Sequence, residues 1–112
     1  MLVGRNSSRR RLNRPSGAAF LPDRRLIIAD TEHNRLLVFD SDGRLLQEVD
    51  KLPGGAKRPS MLSVGTFTGA DGKMKTKLIV GCYGGLRTAS GRDAPGVLVL
   101  DVEEDGDVLM DE

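Results

Sequence analysis

The chain has no tryptophan, one tyrosine and three phenylalanines among its 112 residues, so it offers few flat rings on which nucleobases could stack. Cys82 is its single cysteine. A lone thiol cannot close an internal disulfide, which excludes a small secreted scaffold stapled by such bridges. His33 is the single histidine, so a zinc site built from several histidines cannot be assembled within the chain. No apolar run approaches the roughly 20 residues that a membrane-crossing helix needs. Nor does any segment carry a sustained helical period of apolar residues. The length admits one ordinary domain, too little for a doubly wound enzyme with a second domain, a TIM barrel or a propeller closed by one copy.

What is present is turn chemistry, with fourteen glycines and five prolines, and a modest apolar share of 38%. Basic and acidic residues number 17 and 16, for a net charge of +1, but they are spread unevenly. Residues 1–58 hold twelve Lys/Arg against seven Asp/Glu, a balance of +5; residues 59–112 hold five against nine, a balance of −4. Such a split suits contact between the two halves, or between copies, as readily as nucleic-acid binding. Residues 1–21 contain five arginines and no acid, as a mitochondrial leader would. Leu2, Val3 and Leu12 form no helical face, however, and Pro15 and Gly17 interrupt one, so a basic flexible arm over 1–12 is expected. The expected setting is cytoplasmic, with a mitochondrial one as the alternative.

Leu26-Ile27-Ile28-Ala29 and Leu36-Leu37-Val38-Phe39 are short branched runs that read as strands, separated by the polar turn 30–35. The second run ends at Asp40-Ser41-Asp42-Gly43, where Asp-Gly favours a hairpin because both central residues tolerate positive φ. With 17–21 in front and 45–49 behind, residues 13–50 read as four antiparallel strands in a meander. The two middle runs are apolar throughout rather than alternating, which implies burial on both faces. Since no helix is available to cover them, the cover must be another sheet, as in a propeller blade.

An internal repeat agrees with this. Arg14-Pro15-Ser16 recurs as Arg58-Pro59-Ser60, and Leu26-Ile27-Ile28-Ala29-Asp30 as Leu78-Ile79-Val80-Gly81-Cys82. Leu36-Leu37-Val38-Phe39-Asp40 recurs as Val97-Leu98-Val99-Leu100-Asp101, and Asp42-Gly43 as Asp105-Gly106. The offset between copies grows from 44 to 63, mostly through a longer hairpin at 68–77 and what reads as a loop at 84–96. The second unit, 59–112 after a linker at 51–58, is therefore expected to be a looser blade with an acidic end.

Residues 12–43, with Arg14-Pro15-Ser16-Gly17, the strand ending Ile28-Ala29-Asp30, then Thr31-Glu32-His33-Asn34-Arg35, Phe39-Asp40 and Asp42-Gly43, closely resemble an NHL repeat. The second unit departs from the pattern: Cys82 replaces the aspartate and no Asn-x-Arg follows. The resemblance implies an all-β chain of about two blades from a β-propeller, antiparallel four-stranded units that leave the ring open. Two blades leave two uncovered apolar faces. A fragment of a longer array, about three copies in one ring, or a local two-sheet sandwich would each answer that exposure.

Asp30, Asn34, Arg35, Asp42 and Gly43 are the polar motif positions, expected to hold turns and bridge carboxylates rather than to touch a ligand. His33 reads as an exposed loop residue and Cys82 as a buried structural thiol. Asp40-Ser41-Asp42-Gly43 and the acidic run 103–107 superficially resemble calcium loops but lack the remaining ligands. Gly84-Gly85 and Gly91 are followed by neither a helix nor Gly-Lys-Ser/Thr, so no phosphate cradle is expected. No catalytic residue, metal or cofactor is expected. Arg5, Arg9, Arg10, Arg11 and Arg14 are the candidate contacts to a protein partner or to RNA, since an arginine arm could steer phosphates. The expected role is a non-enzymatic interaction scaffold that meets a protein partner or its own copies through loops and uncovered faces. The alternatives are a piece of a propeller hydrolase or lyase with its catalytic groups in other blades, and RNA binding; no membrane or small-molecule partner is expected.

Overall fold

In the computed structural model, residues 11–87, 93–103 and 109–111 are described. Strands β1 (Pro15–Phe20), β2 (Leu26–Asp30), β3 (Arg35–Phe39) and β4 (Leu45–Val49) form one antiparallel sheet in sequence order. Strands β5 (Lys57–Thr68), β6 (Met74–Arg87), β7 (Asp93–Val102) and β8 (Leu109–Asp111) form a second with the same topology. The chain is all-β, in two open four-stranded meanders that agree with part of a propeller. Among the described residues no helix is long and apolar enough to cross a membrane.

Turn chemistry sets the connections. At the β3–β4 hairpin Gly43 has φ 88°, and the Asp40 carboxylate accepts the backbone N–H groups of Asp42 and Arg44 at 2.9 and 2.8 Å. Asp40 thus organises the turn, while the Asp42 side chain stays exposed. The β5–β6 hairpin repeats the device, with Gly72 at φ 79° and the Asp71 carboxylate accepting Lys73 N–H. The 84–96 segment is not a loop at its ends. Strand β6 continues to Arg87 past a bulge at Gly85, and Leu86 and Arg87 pair with Ala94 and Asp93. Backbone pairing needs no apolar side chains, so a glycine-rich stretch extends the hairpin that the side-chain pattern would end. Far from looser, the second unit has three strands longer than any in the first, β5, β6 and β7, and one short strand, β8.

The two sheets pack face to face. Ile27, Ala29, Leu36 and Val38 of the first meet Leu78, Val80, Cys82 and Leu100 of the second in one buried cluster. Burial holds the Cys82 thiol pKa above its ordinary value. On the far side of the first sheet Ile28, Leu37 and Phe39 are also buried, joined by Leu12, Leu26 and Leu45. The middle strands of this unit are therefore dry on both faces, as their unbroken apolar runs require. The second sheet differs: Leu78 and Val80 are buried, but Ile79, Val97 and Val99 are exposed. Of the two uncovered faces expected of two blades, this one is open, while on the far face of the first sheet the middle strands are covered and Phe20 on the β1 edge is exposed.

The register separates blade-like stacking from a symmetric sandwich. Repeat-equivalent residues do not share the interface: Ile27 and Val38 face the second sheet, whereas their counterparts Ile79 and Val99 face outward. Conversely Val80 and Leu100 face inward, and their counterparts Ile28 and Phe39 face away. The units stack head to tail, front onto back.

They approach tightly at Gly17, where an added Cβ would collide with the Ser60 carbonyl oxygen. Gly17→Ala must push the sheets apart and is expected to cost about 2 kcal/mol or more in urea unfolding. Gly65→Ala, whose added carbon meets nothing within 4 Å, is expected to stay within about 0.5 kcal/mol.

Candidate functional site

The polar motif folds into one site at the β2–β3 connection. A 3-10 turn over Thr31–His33 ends at Asn34, which is left-handed at φ 53°, ψ 43°. Asparagine tolerates that conformation better than most residues. The turn brings His33 back over Asp30, and β3 then begins at Arg35, directly across the ladder from Asp30.

Asp30 and Arg35 are both fully buried. One Asp30 oxygen, Oδ1, accepts the Asn13 backbone N–H at 2.6 Å. The other, Oδ2, accepts Arg35 Nε–H at 2.7 Å and lies 2.7 Å from His33 Nδ1. Arg35 also donates through Nη1 to Glu48 Oε2 at 2.6 Å and through Nη2 to the Arg11 carbonyl at 3.4 Å. A planar guanidinium can hold three such acceptors at fixed angles; a lysine cannot. His33 is accordingly half-buried and hydrogen-bonded, not an exposed loop residue, because an i, i+3 spacing on a 3-10 turn eclipses it with Asp30.

The residues between Asp30 and Arg35 reach the other unit. Thr31 Oγ1 donates to the Pro59 carbonyl at 2.7 Å, leaving its lone pairs to accept from Ser16 Oγ at 2.6 Å. Asn34 Oδ1 accepts the Arg58 backbone N–H at 2.8 Å, and Glu32 pairs with the Arg58 side chain at 3.2 Å. Arg58, at φ 56°, repeats the left-handed backbone of Arg14 at φ 53°, and each precedes a bulged proline. The motif thus works on both sides: Asp30 and Arg35 clamp its own sheet, and Thr31, Glu32 and Asn34 latch the next.

Of the sequence candidates, Asp30, Asn34 and Arg35 come together here, while Asp42 and Gly43 sit in the separate β3–β4 turn. Arg11 and Arg14 are exposed at the entry to β1; Arg5, Arg9 and Arg10 lie outside the described residues. Glu48 and Thr31 escaped sequence reading. Glu48 shares the Arg35 face of the sheet by strand alternation, a signal available only once the β3–β4 register is known. An open cleft of about 760 Å3 lies at the opposite end, between the β1–β2 turn and the β5–β6 hairpin. Its wall carries the pairs Arg25–Asp23 and Lys77–Asp101 together with Lys73, Lys75 and Glu103. The Arg25 hydrogen bond holds the Asp23 carboxyl below its usual pKa.

Consecutive meanders stacked front to back, joined by a motif that clamps one sheet and latches the next, are consistent with part of a propeller-type repeat protein. The model of the NHL repeat family matches residues 12–39, within the first unit. No curated protein and no solved structure matches the chain.

Removing one partner of a buried, hydrogen-bonded ion pair strands the other. Asp30→Asn and Arg35→Lys are each expected to destabilise the chain by about 3–5 kcal/mol in urea unfolding. Asp42→Asn, at an exposed turn position, is expected to change it by less than about 0.5 kcal/mol.

Proposed function

We propose that this chain is a non-enzymatic interaction module whose second sheet binds protein through its outer face. The observation that carries this reading is the exposure of Met61 (75%), Val97 (62%), Ile79 (41%) and Val99 (38%) on one side of one sheet. Contiguous apolar surface of that kind, bordered by the Lys77–Asp101 pair, marks an interaction site more often than chance exposure. The polar groups of the motif are already engaged with one another: both Asp30 oxygens accept hydrogen bonds, and the Arg35 guanidinium is fully buried. They have no geometry left with which to hold a substrate, which favours a structural office for them over catalysis.

The test is site-specific photo-crosslinking in cell extract. With Val97 replaced by a photoreactive phenylalanine analogue, polypeptide adducts are expected that Ile79→Lys abolishes and that the same analogue at Asp42 does not give. Equal yields at both positions, or none at Val97, would overturn the reading.

A further inference from the structure

We propose that the occupant of this face is the same face of a second copy, so that the chain forms a closed twofold dimer. The inference rests on the interaction reading above and specifies its partner.

A further sheet arriving head to tail, as the second unit sits on the first, finds none of the features that seat the existing interface. The first unit receives its neighbour at Gly17, whose missing side chain admits the Ser60 carbonyl, and holds it through Thr31 and Asn34. At the equivalent places the second unit has Met61, Tyr83 and no asparagine. Met61 projects outward at 75% exposure, where the Gly17 position was empty. A second copy could offer its own first sheet only by uncovering Ile28, Leu37 and Phe39, which are at most 9% exposed. Among the described residues, the outer face of the second sheet presents Met61, Ile79, Val97 and Val99 together in both copies.

That face is complementary to itself. Pairing places Met61 beside Gly81 and Val97 in one row, and Ser63 beside Ile79 and Val99 in the next. A twofold axis crossing the strands midway between these rows sets Met61 against Ser63 of the second copy and Ile79 against its Gly81. Each large side chain then meets a small one on two strands, and Val97 meets Val99 on the third, the interdigitation that sheet packing needs. An isologous contact of this kind closes on itself and stops at two.

Strand β5 has 12 residues, so at about 3.3 Å per residue and about 4.8 Å between strands, three strands offer a face on the order of 500 Å2. Stable complexes use about 800 Å2 per partner, so association should be weak and concentration-dependent.

Sedimentation equilibrium of the full chain between about 1 and about 200 µM spans the relevant affinities. Supporting results are a monomer–dimer equilibrium that Ile79→Lys and Ser63→Leu each weaken at least about tenfold, the second by filling the site Met61 needs, with circular dichroism and thermal unfolding unchanged. Mixing Val97→Cys with Val99→Cys chains under mild oxidation should then give a disulfide dimer faster than either chain alone. A monomer throughout, or growth to trimers and longer species, overturns the twofold pairing. If the monomer still crosslinks at position 97 to another polypeptide in extract, the interaction reading stands and only the partner is wrong; if it crosslinks to nothing, both fall.

Discussion

The buried contact between Asp30 and Arg35 is the constraint on which the remainder of the structure rests. A charge with no access to water must be fully partnered, and the partners here come from four places: the Asn13 amide before β1, the turn residue His33, Arg35 at the start of β3, and through it Glu48 on β4. Satisfying one carboxylate therefore aligns the entry, the middle and the exit of a four-stranded sheet. Apolar burial alone is non-directional and would tolerate a slipped strand better than this cluster does.

The same alignment controls the joint between the units. Because Asp30 and Arg35 oppose each other across the β2–β3 ladder, the residues between them must bulge out as a 3-10 turn closed by a left-handed Asn34. That turn presents Thr31 and Asn34 to the backbone at Arg58 and Pro59, where the second unit begins. Local turn conformation and sheet-to-sheet placement are thus a single mechanical unit. In the second unit Cys82 stands in the place of Asp30 and is simply buried, so the corresponding turn is free to become strand, and β6 runs on to Arg87.

Loss of the motif in the second unit also explains the asymmetry of the two faces. The first sheet uses alternate residues on both sides, Ile27 and Val38 inward, Ile28 and Leu37 outward, and all four are buried. The outward residues of the second sheet are counterparts of the first sheet's inward ones, Val97 of Leu36 and Val99 of Val38, but nothing among the described residues covers Met61, Val97 or Val99. An apolar face without the latch that would bind a regular neighbour is a surface for a different kind of contact.

Much of this was legible in the one-dimensional pattern. Unbroken apolar runs at 26–29 and 36–39, punctuated by Asp-Gly, specify strands, their order and their double burial, because side-chain period and turn preference are local properties. Glycines at 84 and 85 misled, since a ladder is held by backbone groups that composition does not display. The tertiary structure alone decided which side of each sheet meets the other, since front-to-back and front-to-front packing use the same composition and differ only in register. It alone joined Glu48 to Arg35 and Thr31 to Pro59, contacts separated by 13 and 28 residues, because they depend on how strands align across space and not on any spacing along the chain.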